Sequence, residues 1–335
     1  MSATSNANPN LSHVRILALT GGGYPGLFSA HVLELLEKIQ NRNQTAPLKS
    51  SFEILAGTSI GAVIAAAIAH GVPAETIRKS FEEKGELVFP RRRTLRPWVG
   101  GAKHSPDGLR EVILEHIGED MRLGDIDKWL VIPAIDETNG EPVLYRSYSP
   151  SQEDIRVVDA VLASAAAPTF LPLHTMPSIS GGNIRLTDGG LIANAPDLVA
   201  ALDARNALGC PYENMRMISI APPSHGRSPY PPSAGVDWGV LKWMRRGPRL
   251  IQASISAQMK LTRYVTERLG LCEYHLIEGD STASEDKILK VDSASPEAIK
   301  TIASIAERYR IKIGGDEVTK RNLSRILSKN ALKRI

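Results

Sequence analysis

The stretch Phe52-Glu53-Ile54-Leu55-Ala56-Gly57-Thr58-Ser59-Ile60-Gly61-Ala62-Val63-Ile64-Ala65-Ala66-Ala67-Ile68-Ala69-His70 sets the architecture. Residues 52–56 read as a short strand, 57–61 as a tight turn, and 62–70 as a helix whose apolar side chains face every direction, which only a buried position accommodates. The same order appears upstream. Val14 to Leu19 is an apolar run of strand formers, Gly21-Gly22-Gly23 ends it, and Leu27 to Gln40 spaces its apolar residues as a helix does. Two successive strand, turn and helix units predict a parallel sheet covered on both faces.

Further along, strands are expected at Trp129 to Ile135, Val143 to Tyr148 and Met215 to Ile220, with a helix over Val157 to Ser164. The proline-rich segment Ala221 to Ser233 reads as an irregular loop. Helices are expected within Gly239 to Leu269, a strand pair at Glu273 to Glu278 and Ile288 to Val291, and a helix from Pro296 to Tyr309 capped by Ser295. Residues 1–12 read as a disordered lead and 316–335 as a basic amphipathic helix. No repeat or linker divides residues 13–315, so a single domain is expected: an α/β, three-layer α/β/α sandwich with a mostly parallel central sheet.

The 335 residues include 40 Lys and Arg against 36 Asp and Glu, a net charge of +4, and 42% are hydrophobic. That balance fills a core and excludes both a disordered chain and a polyelectrolyte that coats nucleic acid, so no DNA or RNA partner is expected. A pI near 9.0 favours an anionic surface or ligand. Two cysteines, Cys210 and Cys272, are too few for a disulfide framework or a four-ligand zinc site and suit a reducing cytoplasm. No metal or cofactor is expected. The first residues lack a basic segment followed by an apolar one, so no secretory signal is expected. The longest run free of charged residues and histidine, Ile54 to Ala69, falls short of the roughly 20 apolar residues a membrane span needs.

Gly57-Thr58-Ser59-Ile60-Gly61 fits G-x-S-x-G between a buried strand and a buried helix. A sharp turn there exposes the Ser59 hydroxyl, and glycines at 57 and 61 avoid collision with the neighbouring strand and helix. The helix N-terminus favours developing negative charge, and the Ile60 N–H is placed to donate to an oxyanion. The glycine loop has two readings. Gly21, Gly23 and Gly26 satisfy the G-x-G-x-x-G dinucleotide fingerprint, yet that site wants an acid at the end of the second strand, where this chain has the serine turn. The other reading is an oxyanion hole built from successive glycine N–H groups. Asp188-Gly189-Gly190 supplies a carboxylate in a glycine-permitted turn, either an ordinary hairpin or a base for the serine.

Together these motifs resemble the patatin family of serine acyl hydrolases and phospholipases A. Ala163-Ser164-Ala165-Ala166-Ala167-Pro168-Thr169-Phe170-Leu171-Pro172 is similar to the family's alanine-rich helix, and Asp188-Gly189-Gly190-Leu191-Ile192-Ala193-Asn194-Ala195-Pro196 resembles its D-G-G-x-x-x-N-x-P block. The motif core covers residues 14 to about 200, and Asp292 to Glu297 looks like a downstream feature of bacterial members. The resemblance implies Ser59 as nucleophile, Asp188 as its base in a Ser-Asp dyad, and oxyanion donors at Gly21, Gly22 and Gly23. It also implies a membrane phospholipid substrate. One departure is Pro25, where the family usually carries arginine. The run Gly21 to Leu36 looks most like the bacterial phospholipase effectors switched on by cyclic dinucleotides in anti-phage signalling. That implies a cyclic dinucleotide activator, action at the inner face of the cell membrane, and leaves a homo-oligomer open.

Other readings stay open. A histidine base would have to be His225 or His275, in the chain order serine, acid, histidine. Arg91, Arg92, Arg93 and Arg96, with Trp98, form a basic loop that is either solvated or grips lipid phosphate or a nucleotide. Trp238 to Arg249 interleaves aromatic and basic residues as an interfacial helix does, and equally as a packed one does. A constitutive lipase, a catalytically weak lipid-binding relative and a dinucleotide-binding protein are the alternatives.

Overall fold

The computed structural model describes residues 13–41, 46–90, 101–178, 181–223, 235–239, 243 and 249–328. Among these the sheet has eight strands: β1 (Val14–Leu19), β2 (Ile54–Gly57), β3 (Trp129–Asp136), β4 (Glu141–Arg146), β5 (His174–Pro177), β6 (Asn183–Asp188), β7 (Met215–Ala221) and β8 (Glu273–Glu278). The strands β3, β2, β1, β7 and β8 run parallel to their neighbours, while β4, β5 and β6 pair antiparallel at the β3 side.

Side chains alternate across a strand, and here the alternation separates two cores. Leu17, Leu19, Leu55, Leu130 and Ile132 face a large cluster under α1 (Leu27–Asn41), α2 (Ile60–His70), α3 (Ala74–Val88), α4 (Asp107–Ile117) and α5 (Val157–Ala165). Ile16, Ala18, Ile54, Ala56, Val131 and Met217 face a smaller one under α7 (Asp197–Ala207). The short α6 (Gly190–Ala193) precedes α7, and α8 (Arg249–Glu267) packs on both. The result is the three-layer sandwich. Residues Ile60 to Ala69 of α2 are all buried, which explains why no polar face is present; each large aliphatic side chain there contributes about 1.5–3 kcal/mol by leaving water.

One edge of β3 positions the site. Ala134 pairs with both Val143 of β4 and Asp188 of β6, whereas Val131 pairs with both Arg146 of β4 and Ala56 of β2. β4 therefore takes one edge, and β2 and β6 share the other with opposed directions. Their ends meet about 10 Å apart along β3, at roughly 3.3 Å per residue, leaving a gap between the turn after β2 and the end of β6.

The expected strand at 288–291 is absent. Ile288 closes the short helix α9 (Glu285–Ile288), Leu289 is buried, and the Val291 carbonyl accepts the Tyr24 N–H at 2.7 Å, so this segment is held by the glycine loop and not by a strand. Downstream, α10 (Pro296–Gly315) begins as expected, with the Ala298 N–H donating to Ser295 Oγ at 3.1 Å. In α11 (Glu317–Leu327), Leu323, Ile326 and Leu327 enter the same core as α1. No helix among the described residues is long and apolar enough to cross a membrane.

Candidate active site

Ser59 has φ 55° and ψ −125°, a conformation that few non-glycine residues adopt, and it stands between β2 and the N-terminus of α2. Close packing of the turn enforces it. A Cβ at Gly57 would lie 2.2 Å from the Gly61 carbonyl oxygen, and one at Gly61 would lie 2.2 Å from the Leu19 carbonyl oxygen. The Thr58 hydroxyl donates to the Ala193 carbonyl at 2.6 Å, tying the turn to α6. The Ser59 N–H donates to Ser164 Oγ of α5 at 3.0 Å.

Asp188 is the last residue of β6, and its Oδ2 accepts the Ser59 hydroxyl at 2.7 Å across 129 positions of chain. Its Oδ1 accepts the Gly190 N–H at 2.6 Å. Gly189 is required by close approach, since a Cβ there would meet the Pro133 carbonyl oxygen at 2.1 Å. Burial pushes the Asp188 carboxyl up to about 6, opposed by the hydrogen bonds from Ser59 and from the Gly190 N–H. Among the described residues no cation lines the cavity around it, so nothing offsets the lost hydration except those donors.

That cavity has a volume of about 200 Å³. Its walls are mostly apolar: Phe89, Leu109, Phe170 and Leu171 on one part, and Ile251, Ile255 and Met259 of α8 on another. Ser59 and Asp188 open into it beside Gly21, Gly22 and Gly23.

The glycine loop is fixed at both ends. Gly21 donates its N–H to the Asn194 carbonyl at 3.0 Å, and Tyr24 donates to Val291. Gly23 has φ 65°, and a Cβ there would sit 2.1 Å from the Val291 carbonyl oxygen. Between these anchors, the N–H groups of Gly22 and Gly23, and that of Ile60, find no acceptor among the described residues. The expected donor set is thus narrowed, because the Gly21 N–H is engaged by Asn194. Pro25 lies buried in the turn Tyr24–Gly26, at a position where helical turns leave the N–H unpaired, and it does not line the cavity.

His275 is on β8 with its Nε2 3.9 Å from Glu273 Oε2, and among the described residues no histidine lines the cavity. Arg91, Arg92, Arg93, Arg96, Trp98 and His225 lie outside the described residues, as do 1–12 and 329–335. Of the aromatic and basic stretch, Trp238 and Trp243 are described and meet edge to face with centroids 5.2 Å apart.

Three contributors had no role assigned to them from sequence. Ser164 accepts the Ser59 N–H, Asn194 holds Gly21, and α8 supplies the cavity wall. The last had a signal in the spacing i, i+4, i+8 of Ile251, Ile255 and Met259.

Residues 17–201 match the family described as patatin-like phospholipase. A cGAMP-activated phospholipase of Pseudomonas aeruginosa is 32% identical, over 86% of this chain and 85% of the relative. One from Vibrio cholerae is 25% identical, over 75% of this chain and 76% of the relative. Patatin-like protein 1 of Arabidopsis thaliana is 28% identical, over 92% and 82%. With the matched residues running from β1 into α7, through both the serine turn and the D-G-G block, this chain belongs to the patatin-like phospholipase family and is a hydrolase.

Proposed function

We propose that the protein is a phospholipase A type acyl hydrolase that works with a Ser59-Asp188 dyad. The observation that carries the reading is the 2.7 Å contact between Ser59 Oγ and Asp188 Oδ2 inside an apolar cavity without a histidine among its described lining residues. Asp188 takes the hydroxyl proton as Ser59 Oγ bonds to the ester carbonyl carbon. The oxyanion rests on the N–H groups of Gly22, Gly23 and Ile60 and on the positive end of α2. Collapse breaks the ester C–O bond, and the proton on Asp188 leaves with the lysophospholipid alkoxide. Water then gives a proton to Asp188 as its oxygen bonds to the acyl carbon; the bond from that carbon to Ser59 Oγ breaks, the fatty acid leaves, and the proton on Asp188 returns to Ser59 Oγ.

The apolar walls suit an acyl chain, and the basic pI suits an anionic lipid surface at the inner face of the cell membrane. The relatives named as cGAMP-activated support a cyclic dinucleotide as activator, and with it a role in bacterial antiviral defence. The test is fatty-acid release from bacterial phospholipid vesicles, with and without a panel of cyclic dinucleotides, for the wild type and Ser59→Ala. Release that needs one nucleotide and Ser59 is the expected result. Release without any nucleotide would leave a constitutive lipase, and release that survives Ser59→Ala would remove the dyad.

A further inference from the structure

Helix α8 has two apolar faces, and only one of them is explained by the cavity. At 100° per residue, Ile251, Ile255 and Met259 turn inward together with Arg263 and Thr266, both buried. The opposite side carries Leu250, Ala257, Leu261 and Tyr264. Leu250 is 53% exposed, Leu261 63% and Tyr264 54%. Single exposed apolar residues are ordinary, but a row of large ones along one helix marks a surface that meets something else.

Charge identifies the occupant. From Arg249 to Arg268 the sequence has four basic residues against one acidic residue, Glu267. Lys260 flanks the row and is exposed, and the Arg268 guanidinium lies 3.5 Å from the Tyr264 ring centroid, keeping an aromatic and a cation together at the surface. Apolar side chains fringed by cations fit the boundary between acyl chains and anionic headgroups. A second copy of the chain fits poorly, because a two-fold contact would set each basic row against itself.

We propose that the outward row Leu250, Leu261 and Tyr264, with Lys260 and Arg268, docks the protein on a bilayer containing anionic phospholipid. This rests on the phospholipase reading above, and it adds a geometric reason. The inward face of the same helix lines the cavity beside Ser59, so seating the outward face on lipid brings the cavity to its substrate.

The test measures partition, by cosedimentation in a Ser59→Ala background, into vesicles of phosphatidylethanolamine with phosphatidylglycerol and into vesicles of phosphatidylcholine alone. The double variant Leu261→Asp, Tyr264→Ser is expected to lose at least tenfold in partition into the anionic vesicles. Lys260→Glu, a surface change, is expected to weaken anionic partition and leave the phosphatidylcholine value unchanged. With Ser59 restored, both variants should hydrolyse a soluble short-chain p-nitrophenyl ester within twofold of the parent, which also verifies folding. Unchanged partition of the double variant, a parent that does not prefer the anionic vesicles, or a variant that loses self-association while its partition is unchanged would each overturn the proposal. The parent's own rate on the soluble ester tests the dyad separately.

Discussion

Ser164 Oγ lies 3.0 Å from the Ser59 amide nitrogen and accepts its N–H, so a side chain of α5 holds the backbone of the turn that presents the serine. Ser164 is wholly buried, and its alanine variant leaves that N–H without an acceptor. An unmade buried hydrogen bond costs about 1–3 kcal/mol, so Ser164→Ala should melt several degrees lower. With φ at 55° no longer supported, turnover should fall while KM changes little. Thermal melts and steady-state kinetics on a soluble ester check both.

In the proposed dyad the Asp188 carboxyl is ionised when it takes the serine proton. Burial places its pKa at about 6, so kcat/KM should rise with pH and level off above an inflection near 6. A pH profile on a soluble ester gives this directly. An inflection at an ordinary carboxylate value would mean that Asp188 is better hydrated than its surroundings imply.

The same burial makes a stability prediction of opposite sign to activity. Asp188 has a folded pKa raised above its unfolded value, so the folded state binds the proton more tightly. The cost of its charge is absent at low pH, grows as pH rises from the unfolded value near 3.8 towards 6, and is full above that. Asp188→Asn should therefore be inactive yet more stable near pH 8, by at most about 3 kcal/mol. The difference should shrink below pH 6, as denaturant titrations at pH 8 and pH 4 would reveal.

Gly23 tests the loop. Its φ of 65° and the 2.1 Å approach of a Cβ to the Val291 carbonyl oxygen leave no room for a side chain. Gly23→Ala should displace the loop from Val291 and misplace the free N–H groups. Loss of a single oxyanion donor costs about 10²–10³ in kcat, and an effect of that size with KM nearly unchanged is expected. Initial rates over a range of ester concentrations separate the two constants.

Much of this was legible locally. The strands β1 and β2, the serine turn and the D-G-G block each announce themselves within about ten residues, because buried parallel strands are apolar runs and the sharp turns require glycine. Relations across the sheet were less visible. That β2 and β6 share one edge of β3, which is what brings Asp188 to Ser59, follows from pairing register and not from any local pattern. Ile288 to Val291 reads as a strand by composition, yet tertiary contact with Tyr24 and the helical turn at Glu285–Ile288 overrides that reading. The engagement of the Gly21 N–H by Asn194 is likewise a contact between distant segments. The outward row on α8 is defined by exposure, which depends on what packs around the helix and not on the spacing of its apolar residues.

The most direct test of the dyad is labelling with a fluorophosphonate near pH 8, followed by peptide mass mapping of the wild type and Asp188→Asn. One adduct is expected, on Ser59, that forms in the wild type and is strongly slowed in Asp188→Asn. An adduct on a different serine, or equal labelling of Ser59 in both proteins, would contradict the dyad.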